Sequence, residues 1–570
     1  MTVADTARRA TLQRLAALGL LLPWAGHAPA YAPQRRGGGG TLKLLLWQGP
    51  TLLNPHFATG QKDQEGCRLF YEPLAVWSQA GELLPVLADA IPSRANGAVA
   101  ADGRSVVWKI RKGVTWHDGQ SLTADDILFN YRYSTDPQTA AVTASSYTGV
   151  KSLEKIDSHS FRVVFERPTP FWSGAYATEP LIPRHLFEPY IGAKSRDAPA
   201  NLKPVGTGPY RFEDFRPGDL VRGVLNPSYH MPNRPHFDRV EIKGGGDAVS
   251  AARAVLQTGE FDFGWNLQVE DELLKRLEAS GKGVVVLQPG GAVEFIQLNY
   301  TDPNKEVNGE RSHRDTRHPL FSDPAVRQAM ALLIDRQAIA QFIYGRTAQA
   351  TANIITDPER FRSPNTRFEF NPDKAAALLE AAGWKLGRDR LRSKDGKQLK
   401  LLFQTSINAP RQKTQAVIKQ AAAKAGIDIE IKAVQGSVFF STDVANTDTY
   451  GKFYADMQMY TNSLASTDPQ NFMQQFTTAE LATQANKWQG QNLGRWRNAD
   501  YDALLTQAGF ELDPAKRAAM FIRLNDMVVG DGYAIPIVAR REVTARAKNL
   551  VAPGSGWQLS LDQIHDWYRA

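Results

Sequence analysis

The sequence predicts a mixed α/β protein built as two or three lobes, and three observations carry that expectation. Strand-like alternation and helix-like periodicity interleave from residue 41 to the C-terminus, with no fixed-period repeat. Roughly 540 residues follow an N-terminal leader, far more than one hydrophobic core serves. No stretch beyond that leader reaches the roughly 18 consecutive apolar residues of a membrane-spanning helix.

Residues 1–32 have the three parts of a secretory signal peptide: Arg8, Arg9 and Arg14, then the apolar run LAALGLLLPWAG, then Ala30-Tyr31-Ala32. The run is too short to cross a hydrocarbon core of roughly 30 Å. Arg8-Arg9 hints at twin-arginine export, but Thr11 sits where an apolar residue is usual, so both the Sec and Tat routes stay open. RRGGGG at 35–40 reads as a flexible linker. The first buried strand is expected at TLKLLLW (41–47), followed by SVVWKI (105–110), SFRVVF (160–165) and DRVEIK (238–243). Between them TADDILFNYRYS reads as a helix, with Thr123 as cap and Asp125 and Asp126 at its positive end.

Further on, SDPAVRQAMALLIDRQAIAQFIYG reads as one long helix from a Ser322 or Asp323 cap, with Pro324 near the first helical position. NPDKAAALLEAAGW starts at Asn371-Pro372 and stops at Gly383. RQKTQAVIKQAAAKAGIDIEIKAV joins a helix to a strand through Gly426, and ELDPAKRAAMFIRLNDMVVGDGYAIPIVAR repeats that logic near the C-terminus.

Composition narrows the function. The net charge is +8, and the leader, with three Arg against one Asp, accounts for two of those charges. The remaining excess is spread out, without the Lys/Arg runs that track phosphates, so no nucleic-acid partner is expected. Cys67 lies well beyond the leader, which leaves no lipid-acceptor cysteine at a cleavage site. A single cysteine also excludes an intramolecular disulfide and cysteine-rich metal sites. The expectation is an exported, soluble protein that is not lipid-anchored.

Five motifs in order then resemble one family. They are LFYEPL (69–74), DGRSVVWKIRKGVTWHDGQSLTADDILFNY (102–131), VGTGPYRFEDFRPGD with LNPSYH (205–219 and 225–230), DPAVRQAMALLIDRQAI (323–339) and NPDKAAALLEAAGW (371–384). Together they resemble the family 5 extracellular solute-binding proteins, which include the oligopeptide-, dipeptide- and nickel-binding components of ABC importers. The resemblance implies a periplasmic-binding-protein-like fold (class II, cluster C): two large lobes with an extra subdomain, mixed sheets flanked by helices, and a cleft between the lobes. It places lobe I at 41–80, 204–290 and 530–570, the extra subdomain at 81–203 and lobe II at 291–529. It implies a monomer that closes over a small-molecule ligand and delivers it to a membrane ABC permease, with no cofactor. His117 and Asp118, tempting as an acid–base pair, are read as a polar turn between Gly113 and Gly119.

In peptide-binding members an aspartate of the third lobe grips the ligand's α-ammonium group. The matching segment here is YADMQMYTNSLASTDPQNFM (454–473), anchored by Asp456 and Asp468-Pro469. On that match Asn462 replaces a tryptophan and Ala465 stands where the gripping aspartate belongs. An ammonium buried without its partner costs roughly 2–5 kcal/mol. The departure therefore predicts that peptides are not held by their N-terminal amine here, unless Asp468 substitutes. The expected cleft residues are Trp47, Asn54, Tyr71, Asn299, Tyr460 and Asn462, an aromatic and amide-rich set suited to a polyhydroxylated or mixed polar–apolar solute. Trp47 and Tyr71 read equally as core aromatics, and Asn299 as a partner of hinge backbone. Arg411 reads either as the receptor of an anionic group or as a solvated surface arginine. The polar segment 301–319 carries His313 and His318, read as loop residues and not as metal ligands.

The rival from another class is a secreted hydrolase, but the chain has no GxSxG elbow, HExxH helix or P-loop. A metal-chelate carrier would share the fold, and the ten histidines show no cluster pointing to one. The sequence reads as a binding protein and not as an enzyme.

Overall fold

The computed structural model describes residues 35–570 apart from 465 and 558. The leader and Ala465 lie outside the described residues. The chain opens on strand β1 (Thr41–Leu46), whose leucines point into the core, and short helix α1 (Gln61–Cys67) follows. Three strands, β2 (Ser105–Lys109), β3 (Val150–Asp157) and β4 (Ser160–Phe165), form a separate antiparallel sheet in the order β2-β4-β3. Trp108, Trp116 and Phe161 fill the core on that sheet. Helix α2 (Ala124–Thr135) starts where the Asp126 carboxylate accepts the Thr123 backbone N–H at 2.9 Å, as a capping box should.

The chain then returns to β1 through β5 (Tyr210–Arg216), β6 (Leu220–Leu225), β7 (Arg239–Gly244) and the two-residue β8 (Phe263–Gly264). A long strand, β9 (Gly283–Leu298), leaves this region and enters the next. There, helices α3 (Pro324–Leu332), α4 (Pro372–Ala381) and α5 (Ala409–Lys424) pack on β10 (Lys400–Ser406), β11 (Asp428–Val434) and β12 (Met457–Leu464). Helix α6 (Pro514–Gly530) leads to a second long strand, β13 (Ala534–Ala547).

Ten of these strands lie in one eleven-stranded sheet, in the order β11-β10-β12-β9-β13-β8-β1-β7-β6-β5, with Ala348–Ala350 pairing on the side of β13. β9 and β13 run antiparallel through its middle and belong to both halves. Their ladder is continuous from Gly283 to Gln288, breaks before Ala292, and shifts register once more between Glu294 and Phe295. At the break a Cβ on Gly290 would stand 2.3 Å from the Gly556 carbonyl oxygen, and one on Gly291 2.3 Å from Leu464 Cβ. Only glycine allows this close approach.

The helix expected over 322–345 is interrupted. Asp323 caps α3 by accepting from the Ala325 N–H at 3.0 Å, but Leu333 leaves helical geometry and Asp335 caps a new helix, Arg336–Ile339, through the Ala338 N–H. A second capping aspartate outcompetes the apolar periodicity that suggested one helix.

His117 and Asp118 have scaffold partners. The His117 ring receives the Gly206 N–H on Nδ1 at 3.1 Å and meets the Gly208 carbonyl with Nε2 at 3.0 Å, while Asp118 pairs with His185. Burial lowers His117 to about 4, which keeps the ring neutral.

Candidate functional site

A cavity of about 390 Å³ lies between the two halves of the large sheet and the smaller sheet. Its first wall comes from Gln48, residues 58–62, Gln64 and Trp265; its second from Val142, Thr143, Ser145, Ser146, Phe171 and Glu179; its third from Arg411, residues 440–444, 449–452, 460–464 and 487–491. The strand β13 supplies Arg540 and Glu542 to it. Contacts across the cleft hold the walls together. Lys413 pairs with Glu270 at 2.8 Å, Asn408 donates to Gln268 at 2.7 Å, and Gln474 donates to Thr148 at 2.8 Å. The cavity is therefore that of a closed cleft.

The charge of the site is organised around Glu294 on β9. Arg411, placed at the start of α5 by the Asn408 cap, meets Glu294 at 2.6 Å, Ser406 at 2.7 Å and Thr461 at 3.0 Å. Arg540 donates to Thr461 Oγ1 at 2.7 Å and comes within 3.7 Å of Glu294. The Thr461 hydroxyl donates in turn to Glu294. Two guanidiniums thus share one carboxylate, and all three side chains are buried. This wall carries a surplus positive charge.

Two other carboxylates face the cavity with little to balance them. Glu179 accepts one hydrogen bond, from Ser146 at 2.8 Å, and burial pushes its carboxyl up. Burial also pushes Glu542 up, against the through-space pull of Arg540. No described residue donates a hydrogen bond to it.

Of the residues singled out from sequence, Arg411, Tyr460, Asn462 and Asp468 line the cavity. Tyr460 is wedged against Phe295 and Tyr450, and its hydroxyl meets Gln297 at 3.2 Å. Asn462 donates to Gln475 at 2.7 Å. Asp468 is held bidentately by Arg517, with one contact of 2.9 Å, so its charge is already matched.

The other four are not brought to the cavity. Trp47 stands beside it, with Nε1 donating to the Asn266 carbonyl at 3.0 Å. Asn54 is a cap, accepting the His56 N–H at 2.9 Å and donating to Asn201 at 2.7 Å. Tyr71 is fully buried in the core around β1. Asn299 ties its amide to the Phe453 and Ala455 carbonyls at 2.9 and 3.1 Å. A buried amide that satisfies backbone has nothing left for a ligand. None of residues 301–319 lines the cavity, and His318 is buried against Asp456 at 2.9 Å.

Sequence reasoning missed Glu294, Arg540, Glu542 and Glu179. A signal was present for three of them: charges inside otherwise apolar strands, AVEFIQL and AIPIVARREVTARA. In the second, period-two alternation puts Arg540 and Glu542 on one face.

A closed cavity between lobes joined by crossing strands defines a two-lobed binding protein. The family model for bacterial extracellular solute-binding proteins, family 5, matches residues 82–484, and the chain belongs to that family. Among curated proteins it is similar to the oligopeptide-binding protein AppA of Bacillus subtilis, 28% identical over 409 residues covering 70% of each chain. It is also similar to the glutathione-binding protein GsiB of Escherichia coli K12, 23% identical over 516 residues covering 89% of this chain and 91% of that one. Among solved structures, AppA of Bacillus subtilis in complex with a nonapeptide superposes with a TM-score of 0.79 at 23% identity, over 94% of this chain and all of that one. NikZ of Campylobacter jejuni in complex with Ni(L-His) gives 0.78 at 20% identity, over 93% and 99%. The family is one of binding proteins, and no helix among the described residues is long and apolar enough to cross a membrane.

Proposed function

We propose that this chain is the exported, lipid-free substrate-binding component of an ABC importer, acting as a monomer. It holds a small polar organic solute by lobe closure and passes it unchanged to a membrane permease. The observation that carries this reading is the cavity lined from both halves of a sheet whose halves are joined by β9 and β13. Ligand contacts made only in the closed state favour closure by the difference in affinity between the two states. The unit that closes is taken to be divided as the resemblance implies: 41–80, 204–290 and 530–570 as one lobe with 81–203 attached, and 291–529 as the other.

A volume of about 390 Å³ lies toward the lower end of the range for small-molecule sites. That supports a compact solute over a long peptide. The relatives bear names for oligopeptide and glutathione binding, and NikZ is described with Ni(L-His). Of these, a glutathione-sized solute suits the volume best. Catalysis is not part of the reading, because Asp468, His117 and Glu294 are each committed to scaffold partners.

The test is a thermal-shift screen of the mature protein followed by recovery of the ligand. A ligand at about a hundred times its dissociation constant adds roughly 2.7 kcal/mol of stability. Recovery of an unchanged ligand, with compaction in small-angle scattering, supports carriage. Steady conversion to product overturns it.

A further inference from the structure

Resting on the solute-binding reading, we propose that the ligand carries an amino-acid-type head, an ammonium and a carboxylate on neighbouring atoms, with Glu542 receiving the ammonium and Arg540 the carboxylate. The two side chains are two residues apart on β13 and share the face that lines the cavity. Their Cα atoms are therefore about 7 Å apart along the strand. Arg540 is 6% exposed and gives one N–H to Thr461; its Nε and Nη2 groups have no acceptor among the described residues. Glu542 takes no hydrogen bond from any described residue and forms no ion pair with Arg540.

The two unspent groups, one basic and one acidic, select the ligand class. Glu294 serves both Arg411 and Arg540, which leaves Arg540 with unspent donors, while Glu542 beside it is a half-buried carboxylate that takes no hydrogen bond from a described residue. A purely cationic ligand leaves the Arg540 donors unmet, and a purely anionic one is set against Glu542. A neutral sugar gives neither group an oppositely charged partner. A zwitterionic head answers both at once through charge-assisted hydrogen bonds.

Spacing separates amino-acid heads from ordinary peptides. In an α-linked tripeptide the amine and the carboxylate stand at opposite ends, about 3.3–3.6 Å further apart for each residue. Adjoining side chains cannot take both. A γ-linked peptide, or an amino acid substituted on its side chain, keeps the two charges together. The amine lost as a target at Ala465 is thus regained at another carboxylate, for a different shape of ligand.

The test uses the full mature chain, dialysed free of bound solute, in calorimetric titrations with L-γ-glutamylglycine, its N-acetyl derivative, α-linked trialanine and maltose. Native mass spectrometry of the protein before dialysis identifies any carried ligand. The expected result is binding of γ-glutamylglycine at least about tenfold tighter than of the N-acetyl form or trialanine. In Glu542→Gln that preference falls to within about threefold, with an unchanged or higher melting temperature, since a half-buried carboxylate with no hydrogen-bond donor on it has been neutralised. Equal binding of the N-acetyl form, or a preference that survives Glu542→Gln, overturns the proposal. Binding of maltose or trialanine alone, or a co-purified ligand without an amine, also overturns it and leaves solute binding intact. A chain that carries no ligand and binds none of the four probes overturns both.

Discussion

Glu294 and Glu542 stand on the two strands that cross between the halves of the sheet, and they are used in opposite ways. Glu294 on β9 is enclosed by Arg411, Arg540 and the Thr461 hydroxyl. Glu542 on β13 faces the same cavity with no donor on it and only the distant pull of Arg540. The same contrast runs through the rest of the site. Asp468 is clasped by Arg517, and His117 is held by the glycine turn at 206–208, whereas Arg540 keeps the donors of two nitrogens, Nε and Nη2, unspent. The lesson is that a charge at a cleft is informative only after its partners are counted. Committed charges hold the scaffold, and unspent ones face the guest.

That contrast can be broken in order of effect. Glu294→Ala leaves two buried guanidiniums without their carboxylate, and a loss of about 3–5 kcal/mol in chemical denaturation is expected. A loss below about 1 kcal/mol would mean that Glu294 is not the centre of the network. Acid comes next. Burial lowers His56 and His117 from 6.5 to about 4 each. Depressed folded-state values contribute stability that is present above pH 6.5 and lost as pH falls toward 4. At about 1.4 kcal/mol per pKa unit the drop is on the order of a few kcal/mol for each ring. Burial raises Glu65 to about 8, which adds stability over the same window, so the check is a comparison with variants. His56→Gln and His117→Gln profiles that run parallel to the parent's between pH 6.5 and 4 would contradict the neutral assignments.

Smaller effects sharpen the line between scaffold and guest. Asp468→Ala removes the partner of a buried guanidinium, with an expected cost of about 1–3 kcal/mol in stability and ligand affinity held within about threefold. A large loss of binding with little loss of stability would move Asp468 to the ligand. Lys413→Glu sets two acids against each other at the cleft mouth, where Lys413 is 56% exposed. The expected effect is at most about 1 kcal/mol, screened by salt, seen as a shift toward the open form in small-angle scattering.

Much of the fold was legible because local chemistry and tertiary need agreed. Asp323-Pro324, Asn371-Pro372 and the Thr123–Asp126 box start helices where the sequence placed them: Asp323 and Asn371 accept the N–H groups of Ala325 and Lys374, and the Asp126 carboxylate accepts the Thr123 N–H. Gly113, Gly119 and Gly426 have φ of 77°, 92° and 83°, the turn geometry their neighbours implied. The site was legible only in part. Tyr460 and Asn462 reach the cavity because the family match located the segment that lines it, while Arg411 was legible only as an arginine opening a helix. Asn54, Tyr71 and Asn299 look the same in sequence as cavity residues, since an amide or phenol that satisfies backbone or fills a core has the same composition as one that meets a ligand. Glu542 went unnoticed because its significance lies in partners it lacks, which one-dimensional spacing does not record.

The break in the β9–β13 ladder at 289–291 gives the molecule a mechanical character of its own. The ladder is interrupted there at a glycine pair pressed against Gly556 and Leu464 and shifts again between Glu294 and Phe295, so bending between the halves would fall on this short stretch. A few degrees there become ångströms of travel at Lys413 and Glu270. A pair of dyes placed at that rim would turn the protein into a gauge of its own guest.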